Sequence, residues 1–411
     1  MRERPDLLGP HSPAWLQAFQ LTEEPGVPAC HVYMEAQVFT PDSRLLVLHR
    51  SAHPHGSDPR DPEHRYLVCD LEHGCRLWPV TEEAGATAPS AAPDGSCLYY
   101  FVDQTEVGGG RLLLRRVGLD GSGRETLQVL DAAVPGTGYR FSRPYPLSTI
   151  SSDGRLLALS GYLGDGRTEG APWGLLVFDL ETASVRLILE GASWCNVHPQ
   201  FSRSQDAALR RDILVQENHG NVCDALGRCQ RLVGGAGADI HVVRDDGADC
   251  RDLPWGRDGN EHCQGHQCWV GQGERAVTST VTRQPPGACL IAGRPVAAAG
   301  HLGRFTPGGW RCDLTRHLER PDFYHFATDA AGRRFITDSG PQDAGGGLWL
   351  ARLSEDGDAP LEDLTLLLCP RSSWAKGTHI HPCLSPDGRR GFFNSDESGQ
   401  LQAYMVQGWP G

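Results

Sequence analysis

No window of this 411-residue sequence approaches the roughly 18 continuous apolar residues that a membrane-spanning helix requires. The charged start Met1-Arg2-Glu3-Arg4 is not followed by the apolar stretch of a secretory leader. These absences point to a soluble, cytoplasmic protein with no membrane partner. Positive charge is also in deficit, with 38 Lys and Arg against 51 Asp and Glu and a formal net charge of −13. A general nucleic-acid coat is thereby excluded, because binding a phosphate polymer needs a basic face. A small anionic substrate held by a local cluster is not excluded. The 14 cysteines lack zinc-ribbon spacing: neither Cys223 with Cys229 nor Cys263 with Cys268 forms a CxxC motif. Buried, reduced thiols acting as small hydrophobes are expected instead. No paired carboxylates stand at recognisable glycosidase positions, and no linker or low-complexity run divides the chain. A single domain over residues 1–411 follows, with 1–25 as an N-terminal extension carrying a short helix near Pro13–Phe19.

What the chain does have is turns, with 50 Gly and 29 Pro, and a recurring strand-turn-strand signature. Thr40-Pro41-Asp42-Ser43, Ala92-Pro93-Asp94-Gly95, Ser151-Ser152-Asp153-Gly154 and Ser385-Pro386-Asp387-Gly388 each precede a short apolar strand. Drifted copies occur at Phe201–Ser204, Val270–Gly273 and Asp329–Gly332. Seven copies spaced roughly 45–65 residues apart, each with room for four strands, predict an all-β fold, a seven-bladed β-propeller. One blade cannot bury both faces, whereas a closed ring of blades can. Closure is expected where the last strand, near Leu401–Val406, meets N-terminal strands around His31–Met34.

Histidines fall at corresponding places in successive repeats: His198, His219, His266, His325, and the pair His379 and His381. In an extended strand, i and i+2 share a face, so Thr378-His379-Ile380-His381-Pro382 offers two imidazoles to one divalent ion. Inner strands of a propeller line its axis, so equivalent positions converge there. A ring of imidazoles around an axial pocket suits a metal or acid–base site, whereas a single buried histidine is more often structural. The His53-Pro54-His55 pair lies in a polar loop, and solvent exposure is its simpler explanation.

These motifs resemble the oligogalacturonate lyase family, seven-bladed propellers that degrade short pectin fragments. His198-Pro199-Gln200-Phe201-Ser202 resembles the family's HPQFSP segment, and Gly265-His266-Gln267-Cys268-Trp269 resembles its GHEFW segment. Thr378–Gly388 with Asn394-Ser395-Asp396 resembles THPHPSFSPDG and the following TSD. The resemblance implies a divalent metal, manganese in the family, held by His325, His379 and His381, with His266 as general base. The family's fourth ligand, a Gln, is replaced here by Lys376, whose ammonium cannot ligate a cation. Lys376 is a candidate to pair with the substrate carboxylate or protonate the leaving oxygen. The family's DRIW arginine corresponds to Asp239-Ile240-His241, without the Arg, although Arg244 is nearby. His198, Asn218, His219 and Arg244 are candidate contacts to a small anionic oligosaccharide. The expected activity is β-elimination on short uronides. The alternatives are a non-catalytic scaffold for protein partners and, ranked lower, another metal-dependent sugar reaction. Oligomeric state is left open.

Overall fold

The computed structural model describes residues 1–50, 58–231, 238–253, 261–282, 290–291, 294–295, 301–306, 309, 311–315, 318, 323–340, 346–354, 359–375 and 378–410. His53, His55 and Lys376 lie outside these residues. Among the described residues there are β-strands and three single-turn 3-10 helices, and no α-helix. Among these residues no helix is long and apolar enough to cross a membrane.

The strands form antiparallel meanders, as expected of a propeller. The first blade runs Ala29–His31, Leu45–Arg50, Arg65–Asp70 and Arg76–Pro79. The second spans 86–130, the third 142–191 and the sixth 323–368, each with four strands in sequence order. Between the third and the sixth lies one eight-stranded sheet, whose two halves are joined by a single pair, Ala238 with Cys263. Divided at that pair, it supplies a fourth and a fifth four-strand meander. The seven-blade expectation rests on this division.

Ring closure differs from expectation. The last blade contains Cys383–Leu384, Arg390–Ser395 and Gln402–Gln407, and it is completed from the N-terminus by Gln17–Gln20, which pairs Gln17 with Gln407 and Gln20 with Tyr404. The helix expected near Pro13–Phe19 is therefore absent, because the edge of Gln402–Gln407 offers those residues a ladder of backbone partners. Ala29–His31 belongs to the first blade instead, where it pairs with Leu48–Arg50. Arg4 reinforces the closure, reaching Gln20 at 2.9 Å and both carboxylate oxygens of Glu397.

Blade stacking explains why central strands read as continuous apolar runs. In the third blade Leu156–Tyr162 and Trp173–Asp179 are buried throughout. With a side-chain period of two, Leu157, Leu159, Leu176 and Phe178 pack towards Phe101 and Leu114 of the second blade. Their neighbours Leu156, Ala158, Leu175 and Val177 pack towards Phe201, Ile213 and Val215 of the fourth. At the turns, Asp387 accepts from Ser385 Oγ at 2.6 Å and from the Arg389 amide at 3.0 Å. Gly388 has φ +68°, and a Cβ there would meet Asp329 Oδ2 at 2.8 Å, so glycine is required.

Burial also gives the first blade an acid sensitivity. His49 and His64 are buried with their Nε2 atoms 2.5 Å apart, and desolvation lowers His64 from 6.5 to about 4. Burial does the same to His31. The unfolded chain protonates each imidazole first, so stability is complete above pH 6.5 and falls as pH drops towards 4. Each histidine should cost about 2–3 kcal/mol at pH 4.5. Urea unfolding at pH 7 and pH 4.5 measures the loss, and His64→Gln should remove part of it.

Candidate metal centre

Irregularities in the first strand of successive blades aim the histidines at the axis. In Phe323–Thr328 the register slips between Phe323 and Phe326, and His325 lies in that slip. In Glu261–Trp269 a slip between Cys263 and Gln267 contains His266. Such bulges re-aim side chains that a flat ladder would hold across the sheet. His198 and His381 reach the same end by another route, with φ +47° and +45°, values a non-glycine residue adopts only when its surroundings hold it there. Both are followed by proline.

This alters the basis of the His-x-His reading. His379 and His381 precede the strand Cys383–Leu384 rather than lying in one, so strand alternation is not what aligns them. The left-handed backbone at His381 does so instead. Their rings stand 5.5 Å apart, and each faces His325, at 5.5 and 4.3 Å respectively. One nitrogen from each of the three rings lies within 4.8 Å of the others. Nitrogens around one first-row ion sit roughly 3–3.5 Å apart at metal–nitrogen distances near 2.1 Å. Closing the triad onto an ion thus needs a contraction of roughly 1.8 Å at most.

The donor set fits a divalent ion on a second count. His325 and Asp338 are both buried; the His325 amide reaches Asp338 Oδ1 at 2.9 Å, and His325 Nδ1 lies 2.7 Å from Oδ2. Desolvation pushes the Asp338 carboxyl up to about 8, opposed by the His325 amide bond. Desolvation, then His379 and His198, hold His325 well below its ordinary value, so its ring is neutral. With Nδ1 engaged by Asp338, a cation held by the other ring nitrogen of His325 would favour the arrangement with the shared proton on Nδ1, the carboxylate–histidine pairing common behind metal ligands. Asp338→Asn should lower divalent-ion affinity about 10–100-fold, measured by calorimetric titration of metal-stripped protein.

His266 stands beside the triad, its ring 4.4 Å from that of His325. Trp374 flanks His379 at 5.3 Å, and Tyr33 meets His381 edge-on at 4.7 Å. His198 is on the same axis, 5.1 Å from Tyr33 ring to ring. Its Nδ1 is 2.8 Å from Glu35 Oε2, and its Nε2 is 2.8 Å from Tyr145 Oη and 3.0 Å from Asn196 Oδ1. Burial raises Glu35, with His198 acting in opposition.

Three candidate substrate contacts sit elsewhere or are engaged. Asn218 is buried and donates to the carbonyls of Cys195 and Asn196 at 3.2 and 3.1 Å, a structural use of its amide. His219 is paired with Asp239 at 2.9 Å. Arg244 lies opposite Asp212, 3.7 Å away, at the other end of the strand pair from Asn218, so it does not join the histidines. His241, where the resemblance implies an arginine region, lies between Glu217 at 3.1 Å and Asp252 at 2.8 Å. That pairing, led by the His241 bond, holds Glu217 down to about 2. The candidates did not include Asp338, Glu35, Tyr145, Asn196 or Trp374. Asp338 carries the one readable signal, an acid interrupting the apolar strand Arg334–Ser339.

A solved oligogalacturonate lyase in complex with manganese superposes with TM-score 0.70 over 95% of this chain and 93% of its own, at 18% identity. The fold is that of the oligogalacturonate lyases. A second such structure, from Vibrio parahaemolyticus, gives 0.69 over 97% and 95% at 16% identity. A prolyl endopeptidase structure is similar more loosely, at 0.51 over 90% of this chain and 49% of its own, with 10% identity. No family model and no curated protein matches the sequence. The oligogalacturonate lyase likeness thus spans nearly the whole chain, in keeping with a resemblance expected over most of it and strongest from about Trp194 to Met405.

Proposed function

We propose that this protein is a metal-dependent lyase that cleaves short uronic-acid oligosaccharides by β-elimination. The observation that carries the proposal is the convergence of His325, His379 and His381, with His266 alongside, in a fold shared with oligogalacturonate lyases. A purely scaffolding propeller has no use for four imidazoles at one axial site.

His325, His379 and His381 would hold the ion. When bound, a divalent cation supplies Lewis-acid stabilisation of the negative charge that builds on a uronate carboxylate. Manganese is the ion in the solved lyase complex, although an all-imidazole donor set binds later first-row metals more tightly. His266 is assigned the removal of the C5 proton, general-base work for which an imidazole is suited. The C5–H electron pair becomes the C4–C5 double bond, the C4–O4 bond breaks, and O4 takes up a proton. Lys376, three residues before His379 in sequence, is assigned either the counter-charge to the carboxylate or that protonation. His198, oriented by Glu35, Tyr145 and Asn196, is assigned a hydrogen bond to the sugar.

The test combines metal analysis of the purified protein with incubation on oligogalacturonate. The expected result is stoichiometric divalent metal and a product with the ultraviolet absorbance of a conjugated unsaturated uronate, abolished by chelation. Metal-free protein that yields no unsaturated product from any oligouronide would leave a scaffold as the better reading.

A further inference from the structure

A cavity of about 210 Å³ lies along the axis, lined by none of the metal-triad histidines. Its inner end is Tyr33, whose other contacts include His381, and its outer rim is made by turn residues such as Pro41, Pro93 and Pro386. The wall is mainly hydrocarbon and aromatic, from Val38, Phe39, Ile150, Trp269 and Leu384. The polar side chains that reach it are largely committed: Gln37 to the backbone of Ile150, Thr328 to the carbonyl of Trp269, and Ser152 to the carbonyl of Ser204.

Gln205, Gln272 and Arg203 are not, and of these Arg203 alone carries a charge. It lines this apolar cavity and makes no hydrogen bond or ion pair with any described residue. The nearest groups acting on its charge are the thiols of Cys268 and Cys383, and burial pushes both up to about 12, so they stay neutral. Arg203 is partly exposed, but a guanidinium cannot shed its proton, and lining an apolar cavity without a counter-charge leaves it less well solvated than in open water. A carboxylate matches it with two parallel N–H···O bonds, and the surrounding wall suits an apolar body attached to that carboxylate.

We infer that the axial cavity is a second ligand site, which takes a small organic carboxylate with its charge on Arg203 and its apolar part against Phe39, Ile150 and Trp269. The site is separate from the histidine centre. It does not depend on the lyase reading, because Tyr33 stands between the two.

Benzoate is a suitable probe and benzamide its neutral counterpart. Both would be titrated into chelator-treated full-length protein, by calorimetry and by the fluorescence of Trp269 and the other tryptophans. The expected result is saturable one-to-one binding of benzoate, with benzamide at least tenfold weaker. Arg203→Met should lower benzoate affinity tenfold or more, with a thermal midpoint close to the parent's, since Arg203 is only partly buried and holds no bonded partner among the described residues. Arg203→Lys, which keeps charge but not the fork, should fall between them. His379→Ala should bind benzoate as the parent does. Equal binding of benzoate and benzamide, no binding at all, or an Arg203→Met protein that is folded and binds normally would each overturn the inference. Loss of benzoate binding in His379→Ala would do so as well, because it would place the probe at the histidine centre.

Discussion

Replacing His379 with alanine is expected to strip the divalent ion and stop uronide cleavage while leaving the fold intact. His379 is only partly buried, and its backbone lies outside the strand ladder, so truncation opens no large core cavity. Loss of a partner behind a metal ligand already costs about 10–100-fold in affinity, and loss of one of three ligands should exceed that. Without the cation, several kcal/mol of charge stabilisation disappear from the transition state, which is about a thousandfold or more in rate. His381→Ala should lose as much function. It also carries a stability penalty, because His381 is fully buried and packs against Tyr33 and His325. Metal content after dialysis, initial rates on oligogalacturonate and a thermal melt separate these effects. Unchanged metal content and unchanged turnover in a folded His379→Ala protein would remove the triad from the mechanism.

The difference between what was readable and what was not follows from where each piece of information resides. The repeat was legible because the turns write it in local chemistry: Ser, Asp and Gly at fixed offsets make the same side-chain bonds in one blade after another, as Ser151 with Asp153 and Ser385 with Asp387 show. The convergence of His325, His379 and His381 was legible because histidines recur at corresponding places in successive repeats. Its geometry was not. The left-handed turn at His381 sits on a residue that gives no warning of it, whereas glycine would have. Asp338 is one of 51 acidic residues, and only the pairing of the sixth blade's first two strands brings it behind His325. Closure failed for a related reason. Gln17–Gln20 has no strand-like pattern of its own, and its conformation is imposed by a partner almost 400 positions away. Arg244 was misplaced because nearness in sequence along a strand is distance in space, and Asp239 to Arg244 spans from one end of the strand pair to the other.

His266→Gln should separate chemistry from metal binding. The ring of His266 is 4.4 Å from that of His325, yet its nitrogens are not among those that gather at the triad. A residue that only moves the proton leaves metal affinity within a few-fold of the parent when it is replaced. Turnover should fall about 10²–10⁴-fold, the usual contribution of a positioned general base. The loss should appear in kcat with little change in KM, since the substrate carboxylate is recognised elsewhere. The competing arrangement is a fourth imidazole ligand, which the short distance to His325 makes concrete. In that case His266→Gln would lose metal along with rate, and saturating divalent ion would restore much of the turnover. Retained metal with lost kcat identifies the base; metal loss with rescue identifies a ligand, and the proton must then be taken by another group, with His198 the first to test.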